Sequence, residues 1–369
     1  MDITGFGRNA APFLYGGEAA AIAQVLDTGQ FGHGPVTEEF EKAIADFLGV
    51  PDAVAVSTCT AALQIALTTA GIGPGDEVVV PSMTFCATVQ AILASGAHPR
   101  FAEINPDTLC VDHQSVKDAL TPHTRAVVPV LYGGRAVGLD ALRDDLAERN
   151  ITVVEDAAHA FGSRRADRFV GATDAVTCFS FGPIKNLTCG QGGAVIPATA
   201  RQADQARTMR MVGMTATAAE RARSTAYDVD GIGLRAHMSQ LNAAIGLAQM
   251  ENFAKAQATR KALWRTYAEA LARVDGAVLV DVDVDQSVPS LCVVKVPSRD
   301  RVFESMRTRG IGVGVHYPPN HQQTAFSPWH RPLPITEAVA GQILTLPFHQ
   351  HMTERDVKVV AQALEEALA

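Results

Sequence analysis

Between residues 53 and 196, short β-branched runs alternate with stretches whose apolar residues recur at helical spacing. Apolar runs at 53–56, 77–80, 126–130, 153–155, 176–179 and 194–196, with a shorter one at 100–103, predict strands. Runs without polar alternation describe strands buried on both faces, as in a parallel sheet. The stretches 60–70, 84–94, 115–120 and 139–150 predict the helices between them. Strand and helix in alternation require crossover connections, so a mostly parallel sheet flanked by helices is expected.

After residue 200 the pattern changes. Helical periodicity dominates 201–211 and 239–272, then short strands are predicted at 290–296 and 312–316, and a last helix over 353–368. We expect an α/β large domain over 1–250, including an N-terminal arm, and a smaller α+β domain over 251–369. The stretch 215–230 lacks apolar periodicity and is expected to be a mobile loop.

Composition narrows the function classes. With 369 residues, 47% of them hydrophobic, the chain can bury a large core. A net charge of −8 leaves no basic footprint, so nucleic acid is not an expected partner. No apolar run reaches the roughly 18 residues of a membrane span, and the first thirty residues lack a basic-then-apolar signal pattern, so no membrane association and a cytoplasmic location are expected. Six cysteines, at 59, 86, 110, 178, 189 and 292, show neither close pairing nor metal-type spacing, which suits buried thiols in a reducing compartment. His316 and His321 stand five apart beside prolines and offer no chelating helix face, so no metal is expected.

The chemistry-bearing residues follow the strand ends. Open parallel sheets bind ligands at the carboxyl ends of their strands. There lie Ser57 to Thr60, Ser82 to Phe85, Asp156 with His159, and Ser180 to Lys185. Lys185 follows an apolar strand and has Phe179, Phe181, Pro183, Ile184 and Leu187 around it, so its amine would be desolvated toward a nucleophilic free base. A surface loop lysine is the alternative. Asp156 ends an apolar strand, where a carboxylate needs a cation. Glu155 should point to the opposite side. An amine and an acid so placed suit an aldehyde cofactor with a basic ring nitrogen, namely pyridoxal 5'-phosphate. Cys59 and Thr60 open an Ala-rich helix that could receive a phosphate on free N–H groups, or Thr60 could merely cap that helix. Phe85 could stack on a ring or pack in the core, and His159 could bond a ring hydroxyl or satisfy a core contact. The cluster Gly190-Gln191-Gly192-Gly193 permits tight turns beside a ligand.

These residues, with Gly32-His33-Gly34-Pro35, Gly73-Pro74-Gly75-Asp76, Val315-His316-Tyr317-Pro318-Pro319 and Leu346-Pro347, give the chain a resemblance to the DegT/DnrJ/EryC1/StrS family of sugar aminotransferases. The resemblance implies a pyridoxal phosphate-dependent transferase of the aspartate aminotransferase-like (type I) fold. It implies Lys185 as the Schiff-base lysine, Asp156 on the ring nitrogen, His159 beside the ring hydroxyl and Phe85 stacked on the ring. Cys59, Thr60 and Ser180 would hold the phosphate. It further implies a homodimer with shared active sites, an amino donor such as L-glutamate, and a nucleotide-linked keto-deoxysugar as acceptor. A keto-inositol or another cyclic ketone, or a non-catalytic cofactor- or sugar-binding regulatory homodimer, are the alternatives. A dehydratase is disfavoured, because those relatives replace the lysine by histidine.

The chain departs from the family pattern at several positions. Arg235 stands where many members have Asn, and His237 where they have Arg. Arg235 is therefore expected to take over the cross-subunit phosphate contact as a charge-assisted donor. Leu131 and Gln191 also depart and weaken any reading of the acceptor.

Overall fold

The computed structural model describes residues 5–216, 220 and 223–369. Its main sheet has seven strands, formed by β1 (Val54–Val56), β2 (Glu77–Pro81), β3 (His98–Ala102), β4 (Thr124–Val127), β5 (Thr152–Asp156), β8 (Val176–Ser180) and β9 (Gly193–Ile196). The intervening β6 (Arg164–Arg165) and β7 (Arg168–Phe169) form a small hairpin outside it. The order is β1-β9-β8-β5-β4-β2-β3, parallel throughout except for β9, which runs antiparallel to both neighbours.

Period-two alternation sends consecutive residues of a strand into different cores. Val78 and Val80 join Val54, Val56, Val154 and Val176 on one face, while Val79 and Val127 pack with Leu142 and Leu146 on the other. Helices α3 (Cys59–Thr69) and α4 (Cys86–Ala94) cover the first face. All of these valines are at most 2% exposed, and each contributes on the order of 1.5–3 kcal/mol by leaving water. A sheet so covered has only its strand ends open to a ligand.

The remaining helices of the N-terminal part are α1 (Glu18–Thr28), α2 (Pro35–Leu48), α5 (His113–Ala119), α6 (Arg143–Glu148) and α7 (Ala200–Met209). Helix α6 is shorter than the expected 139–150, because 140–142 is a 3₁₀ turn. The single helix expected over 239–272 is two, α8 (Gln240–Glu251) and α9 (Phe253–Leu271). Asn252 separates them: its side-chain amide donates to Ala248 O at 3.3 Å, competing with the helix ladder.

A second sheet, β10 (Val278–Leu279), β11 (Cys292–Lys295) and β12 (Ile343–Leu346), is antiparallel and packs with α9, α10 (Arg299–Thr308) and α12 (Glu354–Leu368). A further helix, α11 (Pro334–Ala340), precedes β12. Helix α12 begins with a capping box between Thr353 and Asp356. The strand expected at 312–316 does not form; only Gly314 bridges, to Thr345, since Gly312 N is taken by Phe6 O of the N-terminal arm. That arm also meets Phe348 through Asn9 O and Gln350 through the Tyr15 hydroxyl.

The expected loop over 215–230 lies partly outside the described residues. At its base Met214 bridges Val229, and Thr215 N donates to Asp228 O. Among the described residues no helix is long and apolar enough to cross a membrane.

Candidate active site

Asp156 is the last residue of β5, and its parallel partner in β8 is Cys178. Glu155 points to the other side of the strand, where it meets Arg165 at 2.8 Å and Thr177 at 3.1 Å, as alternation requires. The Asp156 carboxylate is 5% exposed and accepts from Thr88 Oγ1 at 2.7 Å and from Ala158 N at 3.1 Å. It has no ion-pair partner among the described residues. Burial pushes its pKa above the usual carboxylate range, while the two hydrogen bonds and the charge of Lys185 pull it down. A cation brought against it would remove that cost.

Lys185 lies in the connection from β8 to β9, which is held as a closed frame. Phe181 N donates to Gly192 O, Cys189 N to Phe181 O, and Lys185 N to Gly182 O. Asn186 anchors the frame from below through His159 O and Val288 O, and Asn242 through Cys189 O. Of the apolar neighbours expected to desolvate the amine, Phe179, Phe181 and Leu187 are buried, whereas Ile184 is exposed. Burial lowers the Lys185 pKa, and the proximity of Cys59 and Asp156 opposes the shift. The amine lies close enough to feel the Asp156 charge, yet the two form no ion pair among the described residues.

Next to Lys185 the first turn of α3 supplies backbone donors. Thr58, not Thr60, caps this helix, its hydroxyl accepting from Ala61 N at 3.1 Å. Thr60 is thus free of that duty, and the N–H groups of Cys59 and Thr60 have no acceptor among the described residues. Open N–H groups at a helix start are suited to an anion. Gly193 makes the close approach possible: a Cβ there would stand 2.6 Å from Cys59 N and 2.7 Å from the Thr58 carbonyl carbon. Its antiparallel partner is Ser180, whose hydroxyl accepts from Gly182 N at 3.4 Å. Burial raises the Cys59 thiol well above its ordinary value, so it stays protonated beside Asp156.

Phe85 precedes α4 and is 57% exposed, so it is not core. Its ring stands 5.7 Å from that of Tyr317. His159 is buried, with Nδ1 accepting from Gly133 N at 3.2 Å and Nε2 3.2 Å from the Tyr317 hydroxyl. Because an amide N–H can only donate, Nδ1 is the bare nitrogen and Nε2 carries the proton. Burial first, then Lys185 and His316, hold the imidazole well below its ordinary pKa and therefore neutral.

The structure thus brings Cys59, Thr60, Asp156, His159, Ser180 and Lys185 to one edge of the sheet, with Phe85 and Tyr317 alongside. Arg235 is not among them. It is exposed and bridges Met211, and its neighbour His237 bridges Val56 at the sheet's edge strand. His321 is buried, between Ser82 Oγ at 2.7 Å and Glu337 at 3.1 Å. Sequence reasoning missed Thr88 and Asn186. Thr88 was within reach, since it follows Thr84 by one helical turn and shares its face.

The donor set fits pyridoxal phosphate: an unpaired buried carboxylate, a desolvated amine, open helix-start N–H groups and an uncovered aromatic face. Comparison with known proteins points the same way. The sequence profile of the DegT/DnrJ/EryC1/StrS aminotransferase family matches residues 15–365. DesV from S. venezuelae, solved in complex with a ketimine intermediate, is 34% identical, with a TM-score of 0.89 over 97% of this chain and 98% of that one. CalS13, a sugar aminotransferase from Micromonospora echinospora, is 28% identical, with a TM-score of 0.90 over 97% and 99%. Spr1654 from Streptococcus pneumoniae, in its PLP form, is 25% identical, with a TM-score of 0.89 over 97% of each chain.

Proposed function

The chain belongs to the DegT/DnrJ/EryC1/StrS aminotransferase family and is a pyridoxal phosphate-dependent aminotransferase; on that premise we propose that it moves an amino group from L-glutamate to the keto group of a nucleotide-linked deoxysugar. The observation that carries this reading is the placement of Asp156 at the end of β5 and of Lys185 just beyond the end of its neighbour β8, with no ion pair between them among the described residues. The sugar acceptor is supported by the similarity to CalS13 over nearly the whole length of both chains.

When bound, the cofactor supplies an electron sink for the amino group in transit. The chain's residues do the rest. Cys59 and Thr60 N–H groups, with Ser180 Oγ, would bind the phosphate. Asp156 would hold a protonated ring nitrogen, Phe85 would cover a ring face, and the neutral His159 imidazole, held by Gly133 and Tyr317, would stand beside the ring hydroxyl. Lys185 Nζ, with its lowered pKa, is the base that takes a proton from the α-carbon of the donor.

A second copy of the chain completes this reading. Arg235 is exposed near an uncovered apolar group, with Ile232 94%, Tyr227 63% and Val229 50% exposed. That combination supports a homodimer in which Arg235 reaches the partner's phosphate site. A division at about residue 250, between α8 and α9, is supported by the separate core around the second sheet. Six free cysteines, four of them buried, support a reducing, cytoplasmic setting.

The test is to incubate the cofactor-loaded protein with L-glutamate and a panel of nucleotide-linked keto-deoxysugars, and to read aminated product by mass spectrometry and NMR. Amination of at least one member is expected. Consumption of glutamate with no sugar aminated would overturn the acceptor assignment.

A further inference from the structure

Asp156 is held by more than its strand. Thr88 Oγ1 lies 2.7 Å from Asp156 Oδ2, and Thr84 Oγ1 lies 2.9 Å from Thr88 Oγ1. Both threonines are 2% exposed. An ionised carboxylate has no proton to give, so the Thr88 hydroxyl donates to Asp156. That leaves the proton between the two threonines to Thr84. The result is a directed chain, Thr84 to Thr88 to Asp156, in which each hydroxyl polarises the next toward the carboxylate.

Helical threonines ordinarily return their hydroxyl to the carbonyl four residues back. Thr88 instead turns to the side chain at that position and to a residue 68 positions away in sequence. The segment bearing both threonines is also pinned from outside. Asn320 Nδ2 donates to Ser82 O at 3.0 Å and to Thr84 O at 2.7 Å, and His321 N donates to Ser82 Oγ at 3.0 Å. Phe85 sits in the same turn, between the two threonines.

We propose that Thr88, backed by Thr84, is the positioning residue of Asp156: its hydroxyl orients the carboxylate and keeps it ionised, so that Asp156 can hold a protonated ring nitrogen. This rests on the reading that Asp156 faces the cofactor ring. Thr88 acts through Asp156, the residue its hydroxyl contacts. A hydrogen bond to a charged, buried group changes its ionisation equilibrium by about tenfold or more.

The experiment uses the holoenzyme reconstituted with ring-15N pyridoxal phosphate, and follows the nitrogen shift by NMR as a function of pH in wild type, T88V, T88S, T84V and D156N, with cofactor Kd measured alongside. T88V is expected to lower the pH at which the ring nitrogen loses its proton by about one unit or more and to raise the cofactor Kd about tenfold. T88S, which keeps the hydroxyl, is expected to follow wild type, and T84V to shift in the direction of T88V by less. A change in D156N with none in T88V overturns the proposal alone; no change in D156N overturns the reading of Asp156 beneath it. Should T88V fail to fold, T84V and T88S decide, and a T84V titration identical to wild type contradicts the hydroxyl chain.

Discussion

The His159 and Tyr317 rings are stacked at 6.2 Å with 20° between their planes, and the Tyr317 hydroxyl lies 3.2 Å from His159 Nε2. The imidazole is thus gripped at both nitrogens, by a backbone N–H from Gly133 and by a phenol from the other part of the chain. Tyr317→Phe removes one grip and keeps the stack. The expected outcome is a fall in kcat of roughly tenfold with cofactor Kd little changed, because Gly133 still fixes the ring. Steady-state kinetics and a cofactor titration separate the two, and a parallel loss in both would show that Tyr317 alone holds His159.

Gly193→Ala tests the helix-start phosphate site. A Cβ at 2.6 Å from Cys59 N must push the first turn of α3 away, and the obstacle is backbone, which does not yield cheaply. Cofactor affinity is expected to fall at least tenfold while far-UV circular dichroism stays unchanged. Unaltered affinity would place the phosphate elsewhere.

Stability should depend on pH in a defined window. His33, His316 and His349 are each held at a pKa of about 4, chiefly by burial, with neighbouring positive groups adding to it. Unfolded histidine titrates near 6.5. As pH falls from about 6.5 to 4 the unfolded chain therefore binds protons that the folded chain refuses, and stability drops. Asp156, with its raised pKa, works in the opposite sense, but it stands against these three and His159, which burial also holds low. The apoprotein is expected to melt at a lower temperature at pH 4.5 than at pH 7.5, and a flat profile would contradict the burial of these rings.

Arg235→Ala addresses the shared site. If Arg235 reaches a partner's phosphate, the variant binds cofactor about tenfold more weakly, and light scattering finds two chains per particle. Unchanged affinity, or a monomer, would set that assignment aside.

Much of this site could be read in the sequence because strand ends announce themselves. The apolar runs leading to Asp156 and Ser180 end where the sheet ends, and parallel strands put those ends together. Thr58 as the cap in place of Thr60 was not legible, since either hydroxyl suits a helix start. Nor was the break at Asn252, where the apolar periodicity continues through the kink. Thr88 stayed hidden because its function depends on a carboxylate on another strand, a pairing set by sheet order and not by local pattern. The burial of His321 likewise depends on its contact with Ser82, 239 positions away in sequence.

Glu41 and Arg210 form an ion pair that is buried on both sides, and Arg210 also donates to Ala55 O of β1. Removing the carboxylate by Glu41→Ala strands a buried guanidinium, which costs about 3–5 kcal/mol. Urea unfolding should register the loss, and a change below 1 kcal/mol would mean that the pair is solvated.

The central claim is that Lys185 is the residue that joins the cofactor. Borohydride reduction of the holoenzyme, followed by proteolysis and peptide mass mapping, tests it most directly. The account predicts a reduced pyridoxyl adduct on the peptide bearing Lys185, absent in Lys185→Ala; an adduct on any other lysine, or no covalent adduct at all, would contradict it.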